Sequence, residues 1–210
     1  MTRSDEKQDT LDFLDRMVER GLPKAVVDMW LDSWYDYDYK DPKDPSKVGK
    51  WIRNKMKTVR TINGVKYEFS FGGLHGVPVE NKGRGIFKNV IMLDVASLYP
   101  SIMIDLNTLG DRTKNFSYIK DERMKVKHKN KKLSNGLKLG INGTYGCLNA
   151  RHSQLFNPYA SQSVCMYGHI VLFDLCMRLD EIERLKIINV NTDGVGFTCE
   201  SDEWKKVWVS

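Results

Sequence analysis

Residues 185–199, LKIINVNTDGVGFTC, read as two β-rich runs about an Asp-Gly turn, a pairing that favours a tight hairpin because both residues tolerate the backbone such a turn needs. The hairpin carries Asp193 at its tip. Residues 87–94, FKNVIMLD, form a short apolar run that ends in a carboxylate, the pattern of a buried strand delivering Asp94 at its C-terminal end. Residues 57–71, KTVRTINGVKYEFSF, alternate about Asn63-Gly64 and predict a further hairpin. The GGLHGVP stretch that follows (72–78) has neither the GxGxxG pattern nor the Lys-Ser/Thr ending of a phosphate loop, and reads as a plain glycine-rich turn.

Helical spacing surrounds these strands. Leu11, Leu14, Met17 and Val18 make one apolar stripe that Gly21 ends, and Val26, Met29, Trp30 and Trp34 make another. DPKDPSKVGK (41–50) reads as a loop or linker. Helical periodicity returns from Ser134 to about Tyr145, and from Ala160 to about Ile182 with Val164, Tyr167, Val171, Leu175 and Leu179 on one stripe. Antiparallel hairpins alternating with helices predict an α+β fold.

The composition is that of a soluble globular chain. Of 210 residues, 41% are hydrophobic and 29% charged, and no run approaches the ~20 apolar residues of a bilayer span. The opening MTRSDEKQDT has no apolar stretch after its charges, so it is neither a secretory signal nor an acid-poor transit peptide. A cytoplasmic protein with no membrane partner is expected. Cys147, Cys165, Cys176 and Cys199 lack a CxxC pair, which argues against zinc and for reduced, buried thiols. The net charge of +6 permits a nucleic-acid partner. Seven of the thirteen residues from Lys120 to Lys132 are Lys or Arg, and such a run either meets phosphate or is a solvated face.

DVASLYPSIM (94–103), KLGINGTYG (138–146) and NTDG (191–194) resemble, in order, motifs A, B and C of family B DNA polymerases of the bacteriophage type. The resemblance implies a palm of small antiparallel sheet packed on helices, with a short helical fingers hairpin inserted. It implies two Mg²⁺ ions, replaceable by Mn²⁺, held by Asp94, Asp193 and the Val95 carbonyl. Asp94 and Asp193 are then the catalytic pair. Ser97 and Leu98 offer backbone amides to the triphosphate, and Tyr99 is the steric gate against a ribose 2′-hydroxyl. Lys138, Asn142 and Tyr145 fall at i, i+4 and i+7, so a helix points all three the same way. By resemblance they offer a cation to the triphosphate, an amide to the substrate and an aromatic surface to the nascent base pair. Arg123 and Lys127, four apart, resemble the cations that hold the β and γ phosphates, with Lys125 and Lys129 as competing candidates. Arg suits that role because its planar fork binds two phosphate oxygens at once.

The chain departs from motif C, usually Asp-Thr-Asp-Ser. Asn191 stands for the first aspartate and Gly194 for the serine, leaving Asp193 as the ionisable residue of the motif. Weaker metal binding is expected. FSFGGLHG (69–76) resembles the segment whose amides contact template phosphates, implying DNA contacts at Gly72, Gly73 and His75, with Gly146 from motif B. For His75 the alternative is a residue filling a turn.

The implied organisation is an N-terminal helical segment of no assigned role (1–55), a first palm part with motif A (56–110), shortened fingers with motif B (111–150) and a second palm part with motif C (151–210). No acidic exonuclease set appears upstream, and the thumb and its Lys-x-Tyr primer grip are missing from the 17 residues beyond Asp193. The expected function is DNA-templated addition of deoxynucleotides to a primer 3′ end. Primer-template DNA and deoxynucleoside triphosphates are the expected partners, along with a second chain supplying thumb or exonuclease. The alternatives are a nucleic-acid-binding palm remnant without turnover, and a two-carboxylate hydrolase using Asp94 and Asp193 as acid and base. The hydrolase leaves the Lys138, Asn142, Tyr145 spacing unexplained.

Overall fold

Val65, Tyr67 and Phe69 are buried, whereas the residues between and after them are exposed or half-buried, the period of two that gives a strand one core face. The structure, a computed structural model, describes residues 3–35, 40–41, 44–48, 57–80 and 84–209. Its elements begin with helices α1 (Arg3–Glu19) and α2 (Lys24–Tyr35) and strands β1 (Lys40–Asp41), β2 (Asp44–Val48), β3 (Lys57–Ile62), β4 (Val65–Ser70), β5 (Gly73–Pro78) and β6 (Val90–Asp94). They continue with α3 (Leu98–Asp105), a 3₁₀ turn at Gly110–Arg112, α4 (Thr113–Val126), α5 (Lys131–Asn149), α6 (Pro158–Asp180), β7 (Lys186–Asn191), β8 (Gly194–Thr198) and α7 (Trp204–Val209). The architecture is mixed α+β with antiparallel pairing throughout the described strands.

The chain divides into two compact units, Met1–Asp94 with His169–Ser210, and Val95–Gly168. The first holds a six-stranded sheet in the order β3-β4-β5-β7-β8-β6. Asn63 and Gly64, both at positive φ, turn β3 into β4 as the sequence predicts. The middle of the sheet is thin, since β5 meets β7 only through His75↔Asn191 and Gly76↔Val190.

Helix α1 ends because Gly21 takes φ 104°, which lets the Gly21 and Leu22 N–H groups reach back to the Val18 and Met17 carbonyls at 3.0 and 2.9 Å. The chain thereby turns into α2, whose Trp30 is buried. Trp30 meets Phe71 edge-on at 4.7 Å and His169 at 5.1 Å, and Phe173 packs tilted against Phe69 at 5.6 Å. Full burial of one such side chain contributes about 1.5–3 kcal/mol. Arg20 and Arg178 flank Asp174 at 2.7 and 3.0 Å. Burial pushes the Cys176 thiol up to about 12 and also raises the Tyr67 phenol. All four cysteines are thiols, of which Cys165 and Cys176 are buried and Cys147 and Cys199 half-buried.

The second unit is built on Leu98, Ile102, Met103, Phe116, Ile141, Leu148 and Val164. Asn130 starts α5 by accepting the Leu133 N–H at 3.0 Å, the usual service of an N-cap amide. That start is three residues before the Ser134 at which apolar spacing begins, because a cap precedes the stripe it serves.

Two local expectations change. Residues 41–50 do not read as loop alone, since Lys40–Asp41 pair with Asp44–Val48, while 42–43 and 49–50 lie outside the described residues. Likewise the predicted turn at 72–78 shrinks to Phe71-Gly72, and Gly73–Pro78 runs as a full strand against Val65–Ser70. Glycine is a poor strand former, yet here its missing Cβ is needed: one on Gly76 would sit 2.9 Å from Val190 Cγ2. Among the described residues no helix is long and apolar enough to cross a membrane.

Candidate active site

Antiparallel pairing of β6 with β8 sets Asp94 directly opposite Gly194, the neighbour of Asp193. Both aspartates are exposed and stand at the same end of adjacent strands. The approach of β8 to β6 here depends on Gly194, where a Cβ would come within 2.8 Å of the Leu93 carbonyl oxygen and 3.5 Å of Asp94 Oδ1. The departure from serine at this position is therefore one the packing of β6 on β8 exploits. Asn191, the other departure, ends β7 and pairs with both Gly194 and His75.

The turn between β7 and β8 is unusual. Thr192, a β-branched residue, takes φ 50°, and the Asp193 N–H closes a three-residue turn onto the Asn191 carbonyl. A β-branched side chain in this region is strained and persists only where its surroundings fix it. The Thr192 N–H donates to the Leu74 carbonyl at 2.8 Å, and its hydroxyl reaches the Gly72 carbonyl at 3.5 Å. Behind this bend lies His169, whose imidazole burial pushes down to about 4 while backbone hydrogen bonds at Ser70 and Gly73 act the other way. Gly72 is exposed, Gly73 is buried, and His75 is an exposed residue of β5. His75 therefore does not fill a turn.

In the second unit, Ser97 precedes α3 at φ 63°. Its hydroxyl accepts from Arg123 NH1 at 2.6 Å, which ties the basic end of α4 to the start of α3. The Arg123 Nε is buried without a hydrogen-bond partner among the described residues. Of the competing cations, Lys125 is committed to Glu122 at 2.7 Å, which raises its pKa. Lys127 follows α4 directly and is half-buried, and Lys129 is exposed in the α4–α5 connection.

Tyr99 packs tilted against Tyr145 at 5.1 Å, with its hydroxyl 3.5 Å from Cys165 Sγ. Burial pushes that thiol up to about 11, with the Tyr99 hydroxyl bond drawing it partly back. Tyr145 reaches the Ser161 carbonyl at 3.5 Å. Lys138 and Asn142 are exposed on α5, Leu98 is buried and Val95 is half-buried. Gly146 belongs to a set of four α5 glycines, with Gly136, Gly140 and Gly143, whose added Cβ would meet nothing within 4 Å.

The structure thus gathers Asp94 with Asp193 in one unit, and Ser97 with Arg123 and Tyr99 with Tyr145 in the other. Sequence reasoning missed three supports: Gly168 and Cys165 around Tyr99, the bend at Gly72-Gly73 around Thr192, and His169 beneath that bend. An isolated glycine inside a helical pattern is the one advance signal among them, and Gly168 carries it.

No family model matches the chain. It is 26% identical to DNA polymerase 1 of Sulfolobus acidocaldarius, across 83% of this chain and 24% of that protein. It is also 26% identical to DNA polymerase 1 of Sulfurisphaera ohwakuensis, covering 76% and 23%. The same-named protein of Saccharolobus solfataricus is 24% identical, covering 87% and 25%. The chain is therefore similar to DNA polymerases over most of its own length, and it spans about a quarter of the length of these curated relatives.

Proposed function

We propose that this chain is the palm and shortened fingers of a family B, bacteriophage-type DNA-directed DNA polymerase, adding deoxynucleotides to a primer 3′ end with release of pyrophosphate. The observation that carries the reading is the pairing of Asp94 with Gly194, which brings two exposed aspartates, Asp94 and the neighbour of its partner, to the same end of adjacent strands. Similarity to DNA polymerases over most of the chain supports the polymerase part of this reading.

Among the described residues no group of three or more His, Cys, Asp or Glu is poised to hold a metal. Two exposed aspartates do not make a closed protein cage. They do fit Mg²⁺, which keeps several waters and takes one or two carboxylates plus substrate phosphates. Asp94, Asp193 and the Val95 carbonyl would hold two such ions, or Mn²⁺ in their place. Divalent ions held by these residues would supply Lewis-acid activation of the primer hydroxyl and charge neutralisation for the leaving pyrophosphate.

The chain's own residues then bind and orient. Arg123, Lys127 and Lys138 neutralise the triphosphate, with Ser97 and Leu98 supplying backbone amides. Tyr99, backed by Tyr145, closes the space a ribose 2′-hydroxyl would need, and Asn142 aligns the nucleotide. The exposed backbone at Gly72 and Gly146, with His75, contacts template, and Gly73 shapes that bend. Contacts to DNA phosphates make binding fall with added salt.

A second reading is a nucleic-acid-binding palm remnant without turnover. Asn191 favours it, since one carboxylate fewer beside Asp193 weakens the hold on a divalent cation. Primer extension with Mg²⁺ or Mn²⁺ decides between the two. Extension that disappears in Asp94→Asn and Asp193→Asn supports the polymerase. Salt-sensitive DNA binding with no extension by the unsubstituted chain supports the remnant.

A further inference from the structure

Gly73 lies at φ 121°, a conformation L side chains rarely adopt, and is buried under the β7–β8 turn. A Cβ there would come within 2.5 Å of Thr192 Oγ1, 2.9 Å of Cγ2 and 3.0 Å of Cβ. Thr192 thus fills the space that Gly73 leaves. Two further ties act on the same residue, the 2.8 Å bond from its N–H to the Leu74 carbonyl and the 3.5 Å contact of its hydroxyl with the Gly72 carbonyl. Beyond them, β5 meets β7 only at His75↔Asn191 and Gly76↔Val190. The bend at residues 72–74 therefore grips the strained turn residue itself.

We propose that Gly73 and Thr192 form a positioning lock for Asp193: the bend holds Thr192 at positive φ, and the held turn aims the Asp193 carboxylate toward Asp94. Neither residue contacts substrate in this role. The proposal rests on the reading of Asp94 and Asp193 as ligands to divalent cations. Strain at Thr192 and tight packing at Gly73 are otherwise unexplained, because a relaxed two-residue turn with glycine would connect the same strands.

The test uses the whole chain as wild type, Gly73→Ala, Thr192→Gly, the double variant and Asp193→Asn. Mn²⁺ binding is followed by electron paramagnetic resonance, and exchange of the amide at position 192 by NMR. Outer partners that orient a ligand typically change metal affinity 10–100-fold. Thr192→Gly and Gly73→Ala are each expected to weaken Mn²⁺ binding about tenfold and to speed exchange at position 192. In the double variant the losses fall short of additive, since removing the Thr192 side chain removes what the new methyl strikes. Additive losses, or unchanged Mn²⁺ binding and exchange in Thr192→Gly, overturn the lock. If Gly73→Ala does not fold, the Thr192→Gly result decides alone. Unchanged Mn²⁺ binding in Asp193→Asn instead overturns the underlying metal reading, whatever happens at position 192.

Discussion

The ring of Tyr99 stands where a side chain at position 168 would have to go: a Cβ on Gly168 would lie 2.7 Å from Tyr99 Cε1 and 3.4 Å from Cδ1. Glycine inside a helix costs up to about 1 kcal/mol relative to alanine. Its place in α6 is the space Tyr99 occupies. Gly168→Ala is expected to displace the ring and destabilise the fold by about 1–3 kcal/mol through overpacking. With Tyr99 as the steric gate, the same change alters the ratio of deoxynucleotide to ribonucleotide incorporation. Thermal unfolding and single-nucleotide addition with both sugar types check the two parts separately.

The glycines of α5 behave in the opposite way. Gly136, Gly140 and Gly143 sit in a helix with open space where a Cβ would go. Replacing each with alanine is expected to stabilise the chain by about 0.4–1 kcal/mol, chiefly by restricting the unfolded state. A urea midpoint that does not rise in any of the three variants refutes this.

Arg123 and Ser97 are predicted to act as a pair. Ser97→Ala removes the hydroxyl that accepts from Arg123 at 2.6 Å. A hydrogen bond to a charged group contributes about 1.5–3 kcal/mol, so the nucleotide KM should rise about tenfold or more. Arg123→Lys should not restore it, because an ammonium lacks the planar fork. Steady-state kinetics of nucleotide addition on a primed template give the answer, with an unchanged KM in Ser97→Ala counting against it.

Acid stability is predicted to depend on His169. Burial holds its folded pKa near 4, below the ordinary 6.5, so the unfolded chain binds the proton more readily between those values. Stability therefore rises with pH through that window and is lost as pH falls from about 6.5 toward about 4. The loss reaches on the order of 3 kcal/mol. His169→Phe keeps an aromatic ring beside Trp30 and Phe69 and should flatten this slope. Denaturant unfolding of both chains at several pH values tests it.

Much of this was legible in the sequence. Asn63-Gly64 announced its hairpin because positive φ at two successive residues suits few other pairs. The apolar run ending in Asp94 was legible as a strand but not as an edge strand: of Val90–Asp94 only Leu93 is buried, because β6 has a neighbour, β8, on one side alone among the described residues. What remained hidden was non-local. Nothing near Gly73 predicts Thr192, which lies at the far end of the chain and meets it only through the β5–β7 pairing. The strand character of residues 73–78 was hidden for the same reason, since Gly76 is favoured by Val190 across the sheet and not by its neighbours in sequence. Spacing alone left Lys125 competing with the Arg123 and Lys127 pair, and the structure sets Lys125 apart by holding it on Glu122 while Arg123 reaches Ser97.

The sheet order has a consequence for biosynthesis. Among the described residues strand β6 pairs only with β8, and the whole of Val95–Gly168 is translated between them. The meander β3-β4-β5 can form on the emerging chain, whereas the strand bearing Asp94 must wait, unpaired along both edges, until the last strand of the sheet has left the ribosome. A nascent chain arrested before Gly194 therefore contains Asp94 but has no partner strand to place it.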